Sequence, residues 1–416
     1  MATSNPTTRK WTVMVFMGAT TFEGNVDLSK AAEDDIEEMT AIGSDGTSLD
    51  IFVERHNNED VVQHHIGVTA PTCTRSVPDI RPGMTDGKAL TEFVKRSLRT
   101  ANHGPDDYSM LVLWGHAYDF AFGRKRERDG TVDALDFAEL GSSLGAIQRD
   151  MFELFHQKRP TSGSNLPVLD IVGFDACDLS TVEMACQLQP YADYLLGSEI
   201  GIPIPGWPYD RILHRIRDPK MGKDAKDRRV IGPAEFGTYI VRRFCESYQA
   251  SQHAVSLTLL DLTRAPELAE HVSSLARRLA VAMGDPAAVG QISDLLLRSR
   301  TDEGRPYVDV ADLCVNLVRE SGDADVIAAA TALGDYLVSP GAEVVRCSET
   351  GSGRPLIVEH GRNAGRLARL NGISLYAPHV APAMDVDAAE PFYDKFTFAQ
   401  QPQNHWKDLV HALARS

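Results

Sequence analysis

The sequence predicts an α/β fold, a largely parallel central sheet between helices, followed by a mainly helical C-terminal part. Three observations carry this. Two apolar runs of strand length, residues 108–114 (YSMLVLW) and 168–174 (VLDIVGF), break off into Gly115-His116 and Asp175-Ala176-Cys177. Strand-like and helix-like patterns alternate through the first half of the chain, the signature of parallel strands joined by crossover helices. From residue 234 to 338 helical spacing dominates.

The elements follow in order. Residues 1–10 are a polar tail, and 11–17 (WTVMVFM) read as the first buried strand. Residues 18–24 form a loop. Residues 25–42 place Leu28, Ala31, Ile36, Met39 and Ile42 on one helical face, with acids opposite. Residues 49–54 and 61–68 are strands, and Asn57-Asn58 between them suits a turn. Residues 75–87 are a Pro/Gly-rich loop. Residues 88–101 are a helix burying Leu90, Phe93, Val94 and Leu98. The strand before His116, the strand before Cys177 and a short strand at 194–199 (YLLGSE) complete the first part. A boundary is placed after residue 214. The second part, 215–416, has one strand-like interruption at 255–261 and returns late strands to the sheet near Val344-Val345 and at 372–376.

The totals limit the function classes. The chain has 416 residues, 43% of them apolar, enough for a substantial core. A formal charge of −16 argues against nucleic-acid or anionic-membrane partners, which favour excess Lys and Arg. The six cysteines (Cys73, Cys177, Cys186, Cys245, Cys314, Cys347) show no CxxC pair and no zinc-ligand spacing. The N-terminal stretch does not read as a signal peptide, and no run approaches the roughly 18 apolar residues of a membrane span. These features predict a cytoplasmic protein with reduced thiols.

Ligands bind outside the carboxyl ends of strands in open parallel sheets. His116 and Cys177 both sit just past such ends, and adjacent strands lie about 4.8 Å apart. A cysteine attacks acyl carbons as its thiolate, and a nearby histidine assists by proton transfer. A helix starting directly after Cys177 would add a positive dipole end beside the sulfur. Backbone N–H groups at Cys177 and in the turn after His116 are candidate oxyanion donors. Extended geometry places Asp175 on the same side as Cys177, where a carboxylate would recognise a basic side chain. Taken singly, each residue has a plainer reading: an inert buried thiol, a surface histidine, a turn-bonding aspartate. Cys186, Cys245, Cys314 and Cys347 are read as packing. A nucleotide site is disfavoured because GATTFEG after the first strand fits neither GxGxxG nor GxxxxGK[ST].

The segments WTVMVFM, LVLWGHA and GFDACDLSTVEMA resemble the clostripain-like cysteine peptidases of the caspase-like protease group. The resemblance continues through YADYLLGSEIGIPIPGWPY, SLTLLDL, YVDVADLC and GISLYAP, in order along most of the chain. It implies a caspase-like αβα sandwich, residues 1–214 as the catalytic core, and a thiol endopeptidase acting on protein or peptide substrates. It assigns His116 and Cys177 as the catalytic dyad, with oxyanion contacts from the backbone of Ala117 and Cys177. It assigns Asp175 to the pocket for the substrate residue before the cut bond, Arg or Lys. It further implies a zymogen activated by self-cleavage after His116, where the run 124–128 offers Lys125, Arg126 and Arg128. Such exposed loops are preferred sites of nicking. No cofactor is required by the sequence; calcium is implied only by the resemblance, and no DxDxDG-type loop is present. Two departures stand out. Ala117 replaces the usual Gly after the histidine, and residues 200–205 (IGIPIP) are apolar where further acids are usual. An intracellular protease must be held in check, which fits an activating partner. The rival reading is a pseudo-protease that kept the fold as a regulatory scaffold.

Overall fold

The computed structural model describes residues 9–19, 27–57, 59–67, 71–77, 87–118, 121–126, 132–155, 169–217, 230–337, 355–363, 367, 369–380 and 393–414. The fold is mixed α/β with a central, mostly parallel sheet, as the sequence predicts. The chain groups into two compact units. The first comprises Met1–Ala176, Pro190–Asp193 and Pro203–Ser247, and the second comprises Cys177–Gln189, Tyr194–Ile202 and Tyr248–Ser416.

In the first unit the strands are β1 (Trp11–Gly18), β2 (Leu49–His56), β3 (Val61–Ile66), β4 (Pro71–Ser76), β5 (Tyr108–Gly115) and, further along the chain, β9 (Leu169–Asp175). Their order is β9-β5-β1-β2-β3-β4. The pairings β9–β5, β5–β1 and β1–β2 are parallel, while β3 and β4 are added antiparallel at one side. The helices are α1 (Ser29–Ile42), α2 (Gly87–Thr100), α3 (Phe137–Phe155), α5 (Tyr209–Arg217) and α6 (Pro233–Ser247).

All eight residues of β1 are buried, so both faces of this strand are covered. Side-chain alternation shows by what. Trp11 packs against Phe236 of α6, with ring centroids 4.9 Å apart, and donates its indole N–H to Ile231 O. Phe16, of opposite parity, packs against Phe93 of α2 at 5.8 Å. Contacts of α1 with α5 and α5 with α6 build one helical layer, and α2 with α3 builds the other. Continuous apolar runs such as WTVMVFM are what a strand buried on both faces requires.

The described residues between His116 and Phe137 form strands rather than a loop. They make a three-stranded antiparallel sheet, β6 (Ala117–Tyr118), β7 (Ala121–Arg126) and β8 (Val132–Asp136). Charge concealed this. A strand ending in Arg-Lys-Arg breaks the apolar alternation by which strands are recognised. β4 likewise was not anticipated, because PTCTRS begins with Pro and carries little apolar surface.

In the second unit β10 (Ala192–Gly197) pairs through its last four residues with β11 (Ser256–Asp261), and β11 pairs with β13 (Ile357–Arg362), both antiparallel. Helices α4 (Val182–Leu188), α7 (Ala265–Ala282), α8 (Pro286–Arg298), α9 (Val310–Glu320), α10 (Ala324–Leu337) and α11 (His405–Ala414) make this unit mainly helical. Asp285 caps α8 by accepting from Ala287 N, with Pro286 at the first helical position. The late strands differ from expectation. The run near residue 374 forms β14 (Ser374–Tyr376), which pairs with β12 (Tyr307–Asp309) in a separate two-stranded sheet. The strand added beside β11 is β13, and Val344-Val345 lies outside the described residues. Alternation marks a strand but does not name its partner.

Candidate active site

Strands β5 and β9 end level. Their register pairs Trp114 with Asp175, and each chain then runs two residues further, to His116 on one and Cys177 on the other.

His116 is half-buried and follows Gly115, whose φ is 140°. A Cβ at Gly115 would lie 2.7 Å from Gly18 O, so a side chain is excluded by space as well as by backbone angle. Trp114 donates its indole N–H to Asp35 Oδ2 on α1 at 2.6 Å, tying the end of β5 to that helix. Ala117 is buried and its φ is negative, so the left-handed angle that would disfavour Ala falls at Gly115 instead.

Asp175 closes β9 on the face shared with Trp114. It is 5% exposed. Its Oδ2 accepts from Trp207 N at 2.9 Å and from the Tyr209 hydroxyl at 3.2 Å. Gly206, with φ 61°, passes so close that a Cβ would sit 2.7 Å from Oδ2. Burial pushes the Asp175 carboxyl up to about 7, against the opposing effect of these two donors. Burial first, and the charge of Asp175 second, push Asp35 up as well. Glu38 on α1 is also raised, by burial and by Asp210. Both donors to Asp175 fall on Oδ2. The Trp207-Pro208-Tyr209 stretch is the strap around this carboxyl.

Cys177 belongs to the second unit and is half-buried. The strand has ended at Asp175, and Cys177 and Asp178 form a turn rather than continuing the extended geometry assumed from the sequence. Ile202 N donates to Cys177 Sγ at 3.3 Å, and a Cβ at Gly201 would be 3.8 Å from the sulfur. The apolar segment 200–202 therefore runs alongside the thiol. Asp178 N donates to Ile200 O at 3.3 Å and Ser180 N to Ser198 O at 2.9 Å. Gly197 permits this approach, because a Cβ there would meet the Leu179 and Ser180 backbone at 2.9 Å. The helix expected directly after Cys177 begins only at Val182, capped by Thr181 accepting from Met184 N. Ser180 is taken by hydrogen bonds to Ser198 and Ser374, and Thr181 bridges to Ser374, which postpones the helix.

Two further residues, Asp178 of this turn and Arg305, carried no functional signal in the sequence. Asp178 is buried with a φ of 59°, and its Oδ2 pairs with Arg305 at 3.2 Å. An acid directly after the cysteine marks no role by itself, and its partner lies 127 positions away.

Lys125 and Arg126 lie on β7, in register with Asp133 and Val132 of β8; Arg128 lies outside the described residues.

The Clostripain family model, peptidase family C11, matches residues 21–348. The chain belongs to the clostripain family. Solved structures of C11 proteases share its fold. A secreted C11 cysteine protease from Bacteroides thetaiotaomicron, bound to an irreversible peptide inhibitor, is 16% identical with a TM-score of 0.57, covering 97% of this chain and 99% of that one. An inactive zymogen C11 protease from Parabacteroides distasonis is 16% identical with a TM-score of 0.55, covering 95% and 98%. A comparison with curated proteins found no match. This clostripain-family chain is a cysteine protease, for which peptides or proteins are the substrates. Among the described residues no helix is long and apolar enough to cross a membrane.

Proposed function

We propose that this protease cuts after Arg or Lys, with Cys177 as nucleophile, His116 as its proton-transfer partner and Asp175 as the acid that receives the substrate's basic side chain. The level ending of β5 and β9, set by the Trp114–Asp175 register, is the observation that supports it most. The Cys177 thiolate attacks the scissile carbonyl carbon and forms a C–S bond. The carbonyl oxygen takes the negative charge, held by backbone N–H groups of Cys177 and Ala117. His116 gives a proton to the leaving amine as the C–N bond breaks. Water, deprotonated by His116, then hydrolyses the thioester. The N–H of Ile202 on Sγ is a donor that a thiolate accepts readily. The oxygen Oδ1 of Asp175 is assigned to a guanidinium or ammonium group, because the two donors of the strap fall on Oδ2.

Activation by self-cleavage at Lys125, Arg126 or Arg128, an activating partner and a cytoplasmic location complete the proposal. Among the described residues no three His, Cys, Asp or Glu side chains are grouped to hold a metal ion, so none is assigned to calcium.

A fluorogenic peptide library varied at the residue before the cut tests this, with Cys177→Ala, His116→Ala and Asp175→Asn beside wild type. Arg/Lys cleavage absent in Cys177→Ala and lowered about 10²–10⁴-fold in His116→Ala is expected. Cysteine-dependent cleavage after other residues would remove Asp175 from its role. No cleavage, with Cys177 alkylating no faster than the other thiols, would favour the scaffold reading.

A further inference from the structure

Asp178, directly after Cys177, combines three unusual properties. Its φ of 59° is left-handed, a conformation shared among described non-glycine residues only with Asn102. The residue is 5% exposed, and Oδ1 is buried with no hydrogen-bond partner among the described residues. Its Oδ2 pairs at 3.2 Å with Nη1 of Arg305, on the turn leading into β12. Aspartate tolerates the left-handed region better than most residues but does not seek it. A buried carboxylate likewise persists only where a cation compensates it.

We infer that Asp178 and Arg305 are a positioning pair for the nucleophile, holding the left-handed turn that presents Cys177. This rests on the reading of Cys177 as the attacking group. The geometry connects the pair to the thiol along two short paths. The Asp178 N–H is committed to Ile200 O, so it anchors the turn to the segment whose Ile202 N–H reaches Sγ. The Asp178 carboxylate, anchored by Arg305, prevents the peptide between Cys177 and Asp178 from flipping to the ordinary right-handed arrangement. Without Arg305 the buried carboxylate must take up a proton or swing to solvent, and either change releases the turn. Burial raises the Asp178 carboxyl most, Arg305 lowers it, and the charge of Asp302, the competing acid nearby, raises it further.

Arg305→Ala, Asp178→Asn, the double variant and Cys177→Ala test this by steady-state kinetics and by the iodoacetamide reactivity of Cys177. We expect Arg305→Ala to lower kcat by about 10–100-fold, KM to stay within about threefold, and Cys177 alkylation to slow in parallel. The double variant is expected to be no worse than the poorer single one, since both remove one pair. Added guanidinium ion restores part of the Arg305→Ala activity. Arg305→Lys, which keeps the charge but loses the planar fork, serves if Arg305→Ala does not fold, and falls between the two. A kcat within about twofold of wild type in both single variants overturns the inference, as does a change confined to KM. If Cys177→Ala stays active, the nucleophile reading itself fails; if Cys177→Ala is dead while Arg305→Ala is normal, only the positioning role does.

Discussion

The Tyr209 hydroxyl, on the first residue of α5, donates to Asp175 Oδ2, on the last residue of β9, at 3.2 Å. This donor favours the ionised carboxylate in a place where burial favours the neutral acid. Binding of a basic side chain needs the ionised form, so Arg/Lys cleavage should rise with pH through about 7. Tyr209→Phe removes the donor and moves that rise to higher pH. The measurement is kcat/KM against pH for an Arg substrate in both proteins. An unmoved profile would separate Asp175 from substrate binding.

Gly115→Ala places a methyl group 2.7 Å from Gly18 O at a φ of 140°. The strain is expected to cost about 1–3 kcal/mol of stability, comparable to other enforced backbone outliers. Because the shift lands one residue before His116, activity should fall further than the fraction unfolded accounts for. Chemical denaturation and kcat on the same preparation separate the two effects.

Buried acids set the pH dependence of stability. Burial raises Asp178 to about 6 and Glu183 to about 7, and it raises Asp35, Asp175 and Asp309 as well. Between the ordinary carboxyl range and these values the folded chain holds protons that the unfolded chain has released. Stability therefore decreases as pH rises through this window. Thermal melts should give a higher Tm at pH near 5.5 than near 8.5, and the reverse order would contradict the burial of these groups.

Self-cleavage in the β6–β8 sheet carries a structural condition. Lys125 and Arg126 are paired with β8, and a protease takes its substrate extended and unpaired. The ribbon must open before either bond is cut. Intact-mass measurement should show two fragments in wild type, and one unbroken chain both in Cys177→Ala and in the Lys125→Ala/Arg126→Ala/Arg128→Ala variant. An unbroken chain in fully active wild type would remove self-cleavage from the proposal.

The sheet was legible because its strands are extreme. Residues 11–17, 108–114 and 168–174 are predominantly apolar, broken only by Thr12, Ser109, Asp170 and Gly173, a pattern that suits strands covered on both faces, and each appears within a residue or two of its predicted position. Strands with charge or proline, β4 and β7, lack that signal. The candidate residues were legible by the same logic, as polar residues that interrupt apolar runs at their C-terminal ends. Asp175 was visible; the strap from Gly206 to Tyr209 that holds it was not.

The order of residues alone determined the α/β class, the family and the positions of His116, Asp175 and Cys177, because these depend on local periodicity and contiguous motifs. Only the tertiary structure decided that β5 and β9 are neighbours in register, that Cys177 sits in a left-handed turn beside Ile202 N–H, and that Arg305 meets Asp178. These are contacts between residues tens to more than a hundred positions apart. They exist only once burial has brought the segments together, so no local pattern records them.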